Sequence, residues 1–183
     1  MGYFVTGATG FIGRYLVGNL LRRKGTVHVL VRADSQKKLE AIGKKMGWDM
    51  KRVVPVVGDM TAPRCGLSAA QVRALNGKVR HFFHLAAIYD LTASQEAQQA
   101  ANIDGTQHAL DLAAAIGAGC FHHASSIAAA GLYPGIFRED MFDEGQKLPS
   151  PYHRTKFESE KLARNHFQGP WRVYSPAVVV GHS

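Results

Sequence analysis

The chain has 183 residues, of which 46% are hydrophobic, and it carries a formal net charge of +8 at pH 7. This length suits one domain with a full core, and no stretch approaches the roughly 20 uninterrupted apolar residues that cross a bilayer. The basic residues are scattered and are not interleaved with aromatic residues, which argues against a nucleic-acid partner. A phosphorylated anionic ligand and a plain solvated basic surface account for the positive charge equally well.

The cysteine and histidine residues give no sign of a disulfide or a metal site. Cys65 and Cys120 lie far apart without a CxxC spacing, which is typical of a reducing compartment. Adjacent His122 and His123 would point to opposite faces of a strand, so they are unsuited to share one ion. Met1 is followed by a strand-like run and not by a signal peptide. We therefore expect a cytoplasmic protein with no transmembrane segment and no bound metal.

Short apolar runs alternate with helical patterns along the chain. The predicted strands are residues 2–6, 26–31, 52–57, 81–85, 120–124 and 171–174. This alternation predicts a doubly wound parallel α/β sheet, the Rossmann fold, with helices on both faces. In such a sheet, ligands bind at the carboxyl ends of the strands, near the point where the strand order reverses.

Three helices are predicted from apolar faces and end signals. The apolar positions of the first two are Ile12, Leu16 and Leu20, and then Ile103, Leu110 and Ala114. Basic residues and Gly25 mark the end of the first helix. Ser150 and Pro151 form an N-cap and first turn for the third helix, which is predicted to run towards Asn165.

A glycine-spaced turn, TGATGFIG, follows the first predicted strand and leads into the first predicted helix. Glycines let backbone amides approach a pyrophosphate closely, and the helix N-terminus favours the same anion. A tight turn with close helix packing is the alternative for such a spacing, but the flanking strand and helix favour a dinucleotide. The predicted pyrophosphate-binding residues are Gly7, Thr9, Gly10, Phe11, Ile12 and Gly13.

The end of the second strand reports which dinucleotide is bound. An acidic side chain there marks NAD, whereas an arginine binds the 2′-phosphate of NADP. Arg32 occupies this position and Arg14 supplies a second cation, so we expect NADP(H). Asp34 is a counter-signal, which we interpret as the cap of the helix that follows. Asp59 follows the third strand, where it either binds adenine or forms an ordinary turn after Gly58.

The residues suited to proton transfer lie in the second half of the chain. Tyr152 and Lys156 form a YxxxK pair, whose i,i+4 spacing puts both on one helix face. A phenol has a reference pKa near 10, so it needs a neighbouring cation to act at neutral pH. Ser126, at the end of the fifth strand, is placed to hold a substrate oxygen beside the tyrosine. Asn102 either anchors Lys156 through water or braces the backbone.

Together these motifs resemble the extended short-chain dehydrogenase/reductases over essentially the whole chain. The motifs are TGATGFIG, Arg32, GDM at 58–60, HLAA at 84–87, NIDGT at 102–106, SSIAAAG at 125–131 and YHRTK at 152–156. The segments HFFHLAAIYDL, HHASSIAAAGLYPGIFREDMF and SPYHRTKFESEKLAR are similar to the N-terminal domain of bacterial alcohol-forming fatty acyl-CoA reductases, which resemble thioester reductases.

The resemblance implies roles for individual residues. The implied cofactor-binding residues outside the glycine turn are Arg14, Arg32, Asp59, Met60, Leu85, Ala86, Ala87, Tyr89, Tyr152 and Lys156. Ser126 and Tyr152 would contact the reacting oxygen, and Lys156 would also bind the nicotinamide ribose. Asn102 completes the expected catalytic set.

The implied activity is NADPH-dependent reduction of a small-molecule substrate, either a fatty aldehyde or a fatty acyl thioester such as an acyl-CoA. Residues 1–183 would be one NADP-binding Rossmann domain at the front of a longer protein, without the C-terminal substrate region of that protein. The resemblance is also compatible with a homo-oligomer. Two alternatives remain. One is another extended-family reaction on a hydroxysteroid or nucleotide sugar, and the other is a non-catalytic NADP-sensing protein.

Overall fold

The computed structural model describes residues 2–88 and 94–181. The strands are β1 (Gly2–Thr6), β2 (Thr26–Val31), β3 (Val53–Val57), β4 (Val79–His84), β5 (Phe121–Ala124) and β6 (Trp171–Tyr174). They form one parallel sheet in the order β3-β2-β1-β4-β5-β6. The predicted doubly wound α/β sheet is confirmed, and its order reverses between β1 and β4.

Helices cover both faces of the sheet. They are α1 (Phe11–Leu21), α2 (Gln36–Lys45), α3 (Ala69–Leu75), α4 (Gln95–Gln99), α5 (Gly105–Ala115) and α6 (Pro151–His166). Helices α1 and α2 contribute to one core cluster with β1 and β2. Helices α3, α5 and α6 contribute to a second cluster on the opposite face. This is the two-sided cover that buries a parallel sheet.

Strand ends differ from the prediction by one or two residues. Strand β3 begins after Arg52, because Arg52 belongs to a 3₁₀ turn, Met50–Arg52. Its guanidinium donates to the carbonyls of Leu21, the last residue of α1, and Gly25. Strand β4 begins earlier, at Val79, which pairs with Gly2, and it ends before Leu85. Strand β5 begins after Cys120. These shifts follow from tertiary pairing, which decides where a ladder begins.

The predicted apolar face of α1 is partly wrong. The buried positions are Gly13, Val17 and Leu20, whereas Leu16 is partly buried and Ile12 is 42% exposed. Gly13 packs closely against the preceding loop. The helix face that carries Gly13, Val17 and Leu20 is therefore turned towards the sheet. Ile12 consequently faces outward.

The other two predicted helices differ less from the sequence pattern. Ile103 lies in a π-helical turn, Ala100–Asp104, which precedes α5. Leu110 is buried as predicted, but Ala114 is exposed, because α5 presents the neighbouring alanine to the sheet. For α6 the predicted start is confirmed: the Ser150 hydroxyl accepts a hydrogen bond from the backbone of the first turn.

A stack of aromatic rings fills the centre of the second core cluster. The rings of Phe4 and Phe82 lie 4.7 Å apart, and those of Phe82 and Phe121 lie 5.4 Å apart. The Phe121 ring also lies 5.6 Å from that of Phe167, just after α6. Stacked rings at these distances add to the apolar burial. The stack therefore ties the central strands to α6.

Within residues 2–88 and 94–181, every helix is too short or too polar to cross a bilayer.

We predict that Phe121→Ala lowers the free energy of unfolding by roughly 3–5 kcal/mol, because it opens a cavity in a fully buried ring stack. The control is Ile136→Ala, at a side chain 83% exposed, which should change stability by less than about 0.5 kcal/mol. Chemical denaturation measures both variants. Equal stability of the two would contradict the assignment of this stack to the core.

Candidate active site

The glycine loop after β1 is held in close backbone contact on two sides. Gly7 has φ +72°, a left-handed conformation that favours glycine. A Cβ on Gly7 would lie 2.7 Å from the amide nitrogen of Ala86, at the end of β4. A Cβ on Gly13 would overlap the carbonyl oxygen of Gly7. Side chains are thus excluded from both positions by backbone, which does not move aside easily.

The N-terminus of α1 suits an anion. The amide of Gly10 donates to the Gly7 carbonyl at 3.0 Å, and Gly10 is exposed. Within the described residues, no side chain caps this helix and its first turn holds no acidic residue. The first-turn amides therefore remain available to a phosphate. The residues present fit the pyrophosphate of a dinucleotide. Thr9 and Phe11, on either side of Gly10 in the chain, are half-buried.

A buried histidine, His84, links three elements beneath this loop, namely β1, β4 and α5. One ring nitrogen of His84 lies 2.9 Å from Thr6 Oγ1, and the other lies 3.0 Å from Thr106 Oγ1 on α5. Burial, and to a smaller extent the positive charge of Lys156, lowers the pKa of His84 to about 3. His84 is therefore neutral at physiological pH and serves as a hydrogen-bonding link.

The segment after β4 runs beside the glycine loop. The amides of Leu85 and Ala86 donate to Thr6 Oγ1 at 3.2 and 3.3 Å. Ala87 is exposed, so its backbone lies open at this edge of the sheet. Tyr89, which was predicted to line the cofactor, lies outside the described residues.

The carboxyl end of β2 presents an exposed cation. The side chain of Arg32 is 69% exposed, and its Nε lies 3.8 Å from a carboxylate oxygen of Asp34. The predicted capping role of Asp34 is wrong: the N-cap of α2 is Ser35, whose hydroxyl donates to the Asp34 carboxylate at 2.8 Å. Because this ion pair is long and solvated, it holds Arg32 only weakly. Arg14 lies on α1 and its Nε donates to the Gly10 carbonyl.

Asp59 lies next to Arg32 at the end of β3. Its carboxylate accepts from the amide and the hydroxyl of Thr61 at 2.9 and 2.8 Å. These hydrogen bonds lower the pKa of Asp59, and the positive charge of Arg32 adds to the effect. Met60 packs against the core, and its carbonyl accepts from His108 Nδ1 at 2.8 Å. The two predicted residues therefore sit in an ordered turn.

Asn102 is buried, and its side-chain amide binds the backbone after β4. Its Oδ1 accepts from the amide of Ile88 at 2.8 Å, and its Nδ2 donates to the Ile88 carbonyl at 3.2 Å. The same nitrogen donates to Thr155 Oγ1 at 3.2 Å. Of the two roles left open by the sequence, the direct contacts match bracing. Asn102 thereby ties the segment after β4 to α6.

Lys156 is the most unusual of the predicted residues. It is 3% exposed, and its Nζ donates to the carbonyl of Ala124 at 2.7 Å. Burial lowers the pKa of Lys156 to about 8, against an opposing effect of the Glu160 carboxylate. A buried amine next to a strand end is the kind of perturbed group that marks functional sites.

The other two residues predicted for proton transfer are Ser126, just after β5, and Tyr152, on the helix that carries Lys156. Ser126 follows Ala124 by two residues, is half-buried, and accepts a hydrogen bond from the amide of Ala128 at 3.2 Å. Tyr152 lies one helical turn before Lys156 on α6 and is also half-buried. Helix α6 packs against β5 and against the turn Ile127–Ala130 that follows the serine. Lys156 and Ser126 thus lie at the same strand end, and Tyr152 lies one turn from the lysine along α6.

The sequence analysis did not identify three further residues, Ser125, Glu160 and Arg164, which form a hydrogen-bonded network next to Lys156. Glu160 accepts from Ser125 Oγ at 2.5 Å and from the Arg164 guanidinium at 2.7 and 2.9 Å. Glu160 could have been found from its spacing in the sequence, because it lies one turn beyond Lys156 on the same helix face. Ser125 could not be distinguished from a core serine without its partner.

A cleft of about 1140 Å³ opens beside Ser126. Its walls include apolar side chains from α1, from the end of β4 and from the segment before α6. Examples are Ile12, Leu85, Ile127 and Met141. The exposure of Ile12 is explained by this cleft, since the side chain forms part of its wall. The site therefore has room for an apolar ligand next to the serine.

A histidine cluster on β4 and β5 borders the same cleft, since His122 and Tyr174 are among its lining residues. Ligand atoms of His81, Cys120 and His122 lie within 4.8 Å of one another. His81 Nδ1 lies 3.0 Å from His122 Nε2, and His122 Nδ1 lies 2.9 Å from the Tyr174 hydroxyl. Burial lowers the pKa of both histidines, and nearby arginines, including Arg172, lower it further. Such a positive field disfavours a divalent cation, and hydrogen bonds account for these ring nitrogens.

Comparison with known sequences places the chain among reductase-related proteins. The family model described as "Male sterility protein", an NAD-binding family, matches residues 5–183. One of the linear gramicidin synthase proteins of Brevibacillus parabrevis is 33% identical over 172 residues, which cover 86% of this chain and 3% of that protein. A Drosophila melanogaster protein provisionally named fatty acyl-CoA reductase CG8306 is 32% identical over 126 residues, which cover 60% of this chain and 24% of that protein.

Comparison with solved structures agrees. The terminal R domain of the myxalamid PKS-NRPS biosynthetic pathway superposes with a TM-score of 0.86 and 29% identity, covering 100% of this chain and 50% of that one. The chain thus spans half the length of this structural neighbour and smaller shares of the two sequence relatives. Since the family model matches nearly every residue, the chain belongs to the male sterility protein family of NAD-binding domains, and its fold is that of the extended short-chain dehydrogenase/reductases.

Proposed function

We propose that residues 1–183 form the NADPH-binding domain of a reductase that acts on a fatty aldehyde or a fatty acyl thioester. The observation that carries this proposal is the buried Lys156, whose Nζ donates to the Ala124 carbonyl at the end of β5. Ser126 follows Ala124 by two residues, and Tyr152 precedes Lys156 by one turn of α6. A lysine with no catalytic or binding role would not be expected to lose its solvation at this edge of the sheet.

In this proposal the first half of the chain holds the dinucleotide. The glycine loop and the first turn of α1 bind the pyrophosphate, and Arg32 binds the 2′-phosphate, with Arg14 as a second cation. Asp59 and Met60 line the adenine side, and Leu85, Ala86 and Ala87 line the middle. When bound, the reduced nicotinamide supplies hydride to a carbonyl carbon.

The second half of the chain supplies the proton. The Tyr152 hydroxyl donates its proton to the carbonyl oxygen, and the Ser126 hydroxyl donates a hydrogen bond to the same oxygen. The Lys156 cation stabilises the phenolate that remains on Tyr152. With a pKa of about 8, Lys156 is mostly protonated at pH 7. Asn102 supports this arrangement by bracing α6 through Thr155.

The choice of substrate rests on the cleft beside Ser126 and on the family. The apolar walls of the cleft suit an acyl chain. A relative provisionally named fatty acyl-CoA reductase supports an acyl thioester.

For proton transfer, we predict that Tyr152→Phe lowers kcat for NADPH oxidation with decanal or palmitoyl-CoA by roughly 10²–10⁴-fold, because the proton donor is lost. NADPH binding, measured by fluorescence, should change little. Tyr15→Phe, which removes a hydroxyl from an exposed ring on α1, is the control and should keep normal turnover. Tight NADPH binding with no turnover on any aldehyde, ketone or thioester would instead favour a sensor.

For cofactor choice, we predict that Arg32→Ala weakens NADPH binding by roughly 10–100-fold, which corresponds to about 1.5–3 kcal/mol for a hydrogen bond to a charged group. NADH binding should be nearly unaffected, since NADH has no 2′-phosphate. Arg73→Ala, at an exposed position on α3, controls for the loss of one positive charge. Equal losses for the two dinucleotides would remove Arg32 from the phosphate site.

For the phosphate loop, we predict that Gly13→Ala abolishes measurable NADPH binding and lowers the melting temperature, because the new Cβ overlaps the Gly7 carbonyl. The matched control is Gly18→Ala on the same helix, where a Cβ would lie 3.5 Å from the Trp48 ring, an ordinary contact. This control should bind NADPH normally and gain up to about 1 kcal/mol of helix propensity. Calorimetric titration and thermal melting distinguish the two variants.

A further inference from the structure

Glu160 is a buried carboxylate for which the proposed reaction has no direct use. It is 3% exposed and lies on α6 one turn beyond Lys156. Burying a carboxylate is costly unless hydrogen bonds and a counter-charge replace its solvation. Glu160 receives both, from the Ser125 hydroxyl on one oxygen and from the Arg164 guanidinium on the other. The fold therefore maintains this charge at a defined place.

The partners of Glu160 connect the helix to the strand side of the site. Ser125 immediately precedes Ser126, so the Glu160–Ser125 hydrogen bond fixes the backbone that carries the proposed oxygen-binding serine. Lys156 makes a parallel contact one turn earlier, from its Nζ to the Ala124 carbonyl at 2.7 Å. Two adjacent residues of the strand end are thus bound by two successive turns of α6.

Arg164 is held firmly enough to keep Glu160 in place. Its guanidinium carbon lies 4.6 Å from the centroid of the Phe142 ring and 5.3 Å from that of Trp171. Contact with two aromatic faces restricts the arginine, whose Nε and Nη2 both donate to Oε1 of Glu160. The network therefore extends from the strand end to the wall of the cleft.

We propose that Glu160 is a positioning residue of the reductase site, which locks α6 to the end of β5 and keeps Lys156 as a cation beside Tyr152. The catalytic part of this inference rests on the proposed function, whereas the hold on Lys156 can be tested without turnover. Glu160 acts through Lys156 and Ser125 and need not touch the substrate.

Glu160 supplies a negative charge to the surroundings of Lys156. Two histidines face the lysine, His84 from β4 and His123 from β5, and burial lowers the pKa of both. They are neutral at pH 7 and provide no compensating negative charge. The Glu160 carboxylate raises the pKa of Lys156 against the effect of burial. Its removal should therefore lower that pKa further, so that the amine loses its proton at lower pH.

The decisive experiment is a titration of Lys156 by NMR in protein carrying labelled lysine side chains, with the signal assigned from Lys156→Arg. In Glu160→Gln we expect the Lys156 midpoint to fall by about one pH unit, the effect of one nearby charge in a partly buried site. Glu158→Gln is the matched control, a carboxylate on the same helix whose charge acts on Lys161. It should leave the midpoint unchanged.

Kinetic measurements then distinguish the effect of Glu160 on the position of the strand end from the effect of its charge on Lys156. Glu160→Gln should lower kcat by about tenfold or more and move the alkaline limit of kcat to lower pH, with little change in KM for NADPH. Ser125→Ala keeps the charge and breaks the contact to the strand, so kcat should fall while the alkaline limit stays in place. Thermal melting and NADPH binding establish that each variant is folded.

An unchanged Lys156 midpoint in a folded Glu160→Gln protein would overturn the inference. Wild-type turnover by both Glu160→Gln and Ser125→Ala would overturn its positioning part. Wild-type protein that binds NADPH but reduces no carbonyl substrate would count against the proposed function. The NMR titration would still decide whether Glu160 holds Lys156 as a cation.

Discussion

The close backbone contact around the glycine loop is the constraint on which the rest of the structure depends. Gly7 can approach the end of β4 and the start of α1 only because it lacks a side chain and adopts a positive φ. That approach sets the position of α1 over the sheet, which exposes the helix N-terminus and turns Ile12 towards the cleft. Thr6 and His84 then bind the two strand ends together. The proposed dinucleotide site and one wall of the cleft both adjoin this contact.

A second set of buried polar contacts orders the other half of the site. Helix α6 brings a lysine and a carboxylate into the protein, and each finds its partner at the end of β5. Such groups are stable inside only when their hydrogen bonds are complete. Asn102 adds a third tie between α6 and the segment after β4. The same contacts that stabilise the fold thus hold Lys156 against the strand end that precedes Ser126.

Much of the fold could be predicted because its signals are local. Alternating apolar runs located all six strands, and the Ser150–Pro151 pair located the start of α6. The errors occurred where distant partners decide the outcome. Arg52 lies outside the strand that was predicted to include it, and its guanidinium binds the carbonyls of Leu21 and Gly25. Asp34 lies beside Arg32 and does not cap α2. A side chain with two available roles takes the one that its tertiary neighbours allow.

The sequence by itself determined the sheet class, the glycine loop and the residue types of the proposed proton-transfer centre, because these depend on spacing along one element or one turn. Only the tertiary structure decided that Asn102 braces Ile88 and Thr155. It likewise decided that Lys156 is buried against Ala124 and that Glu160 joins Ser125 to Arg164. The physical reason is that desolvation and hydrogen-bond completion depend on groups that are distant in the chain and meet only when the sheet and α6 pack together.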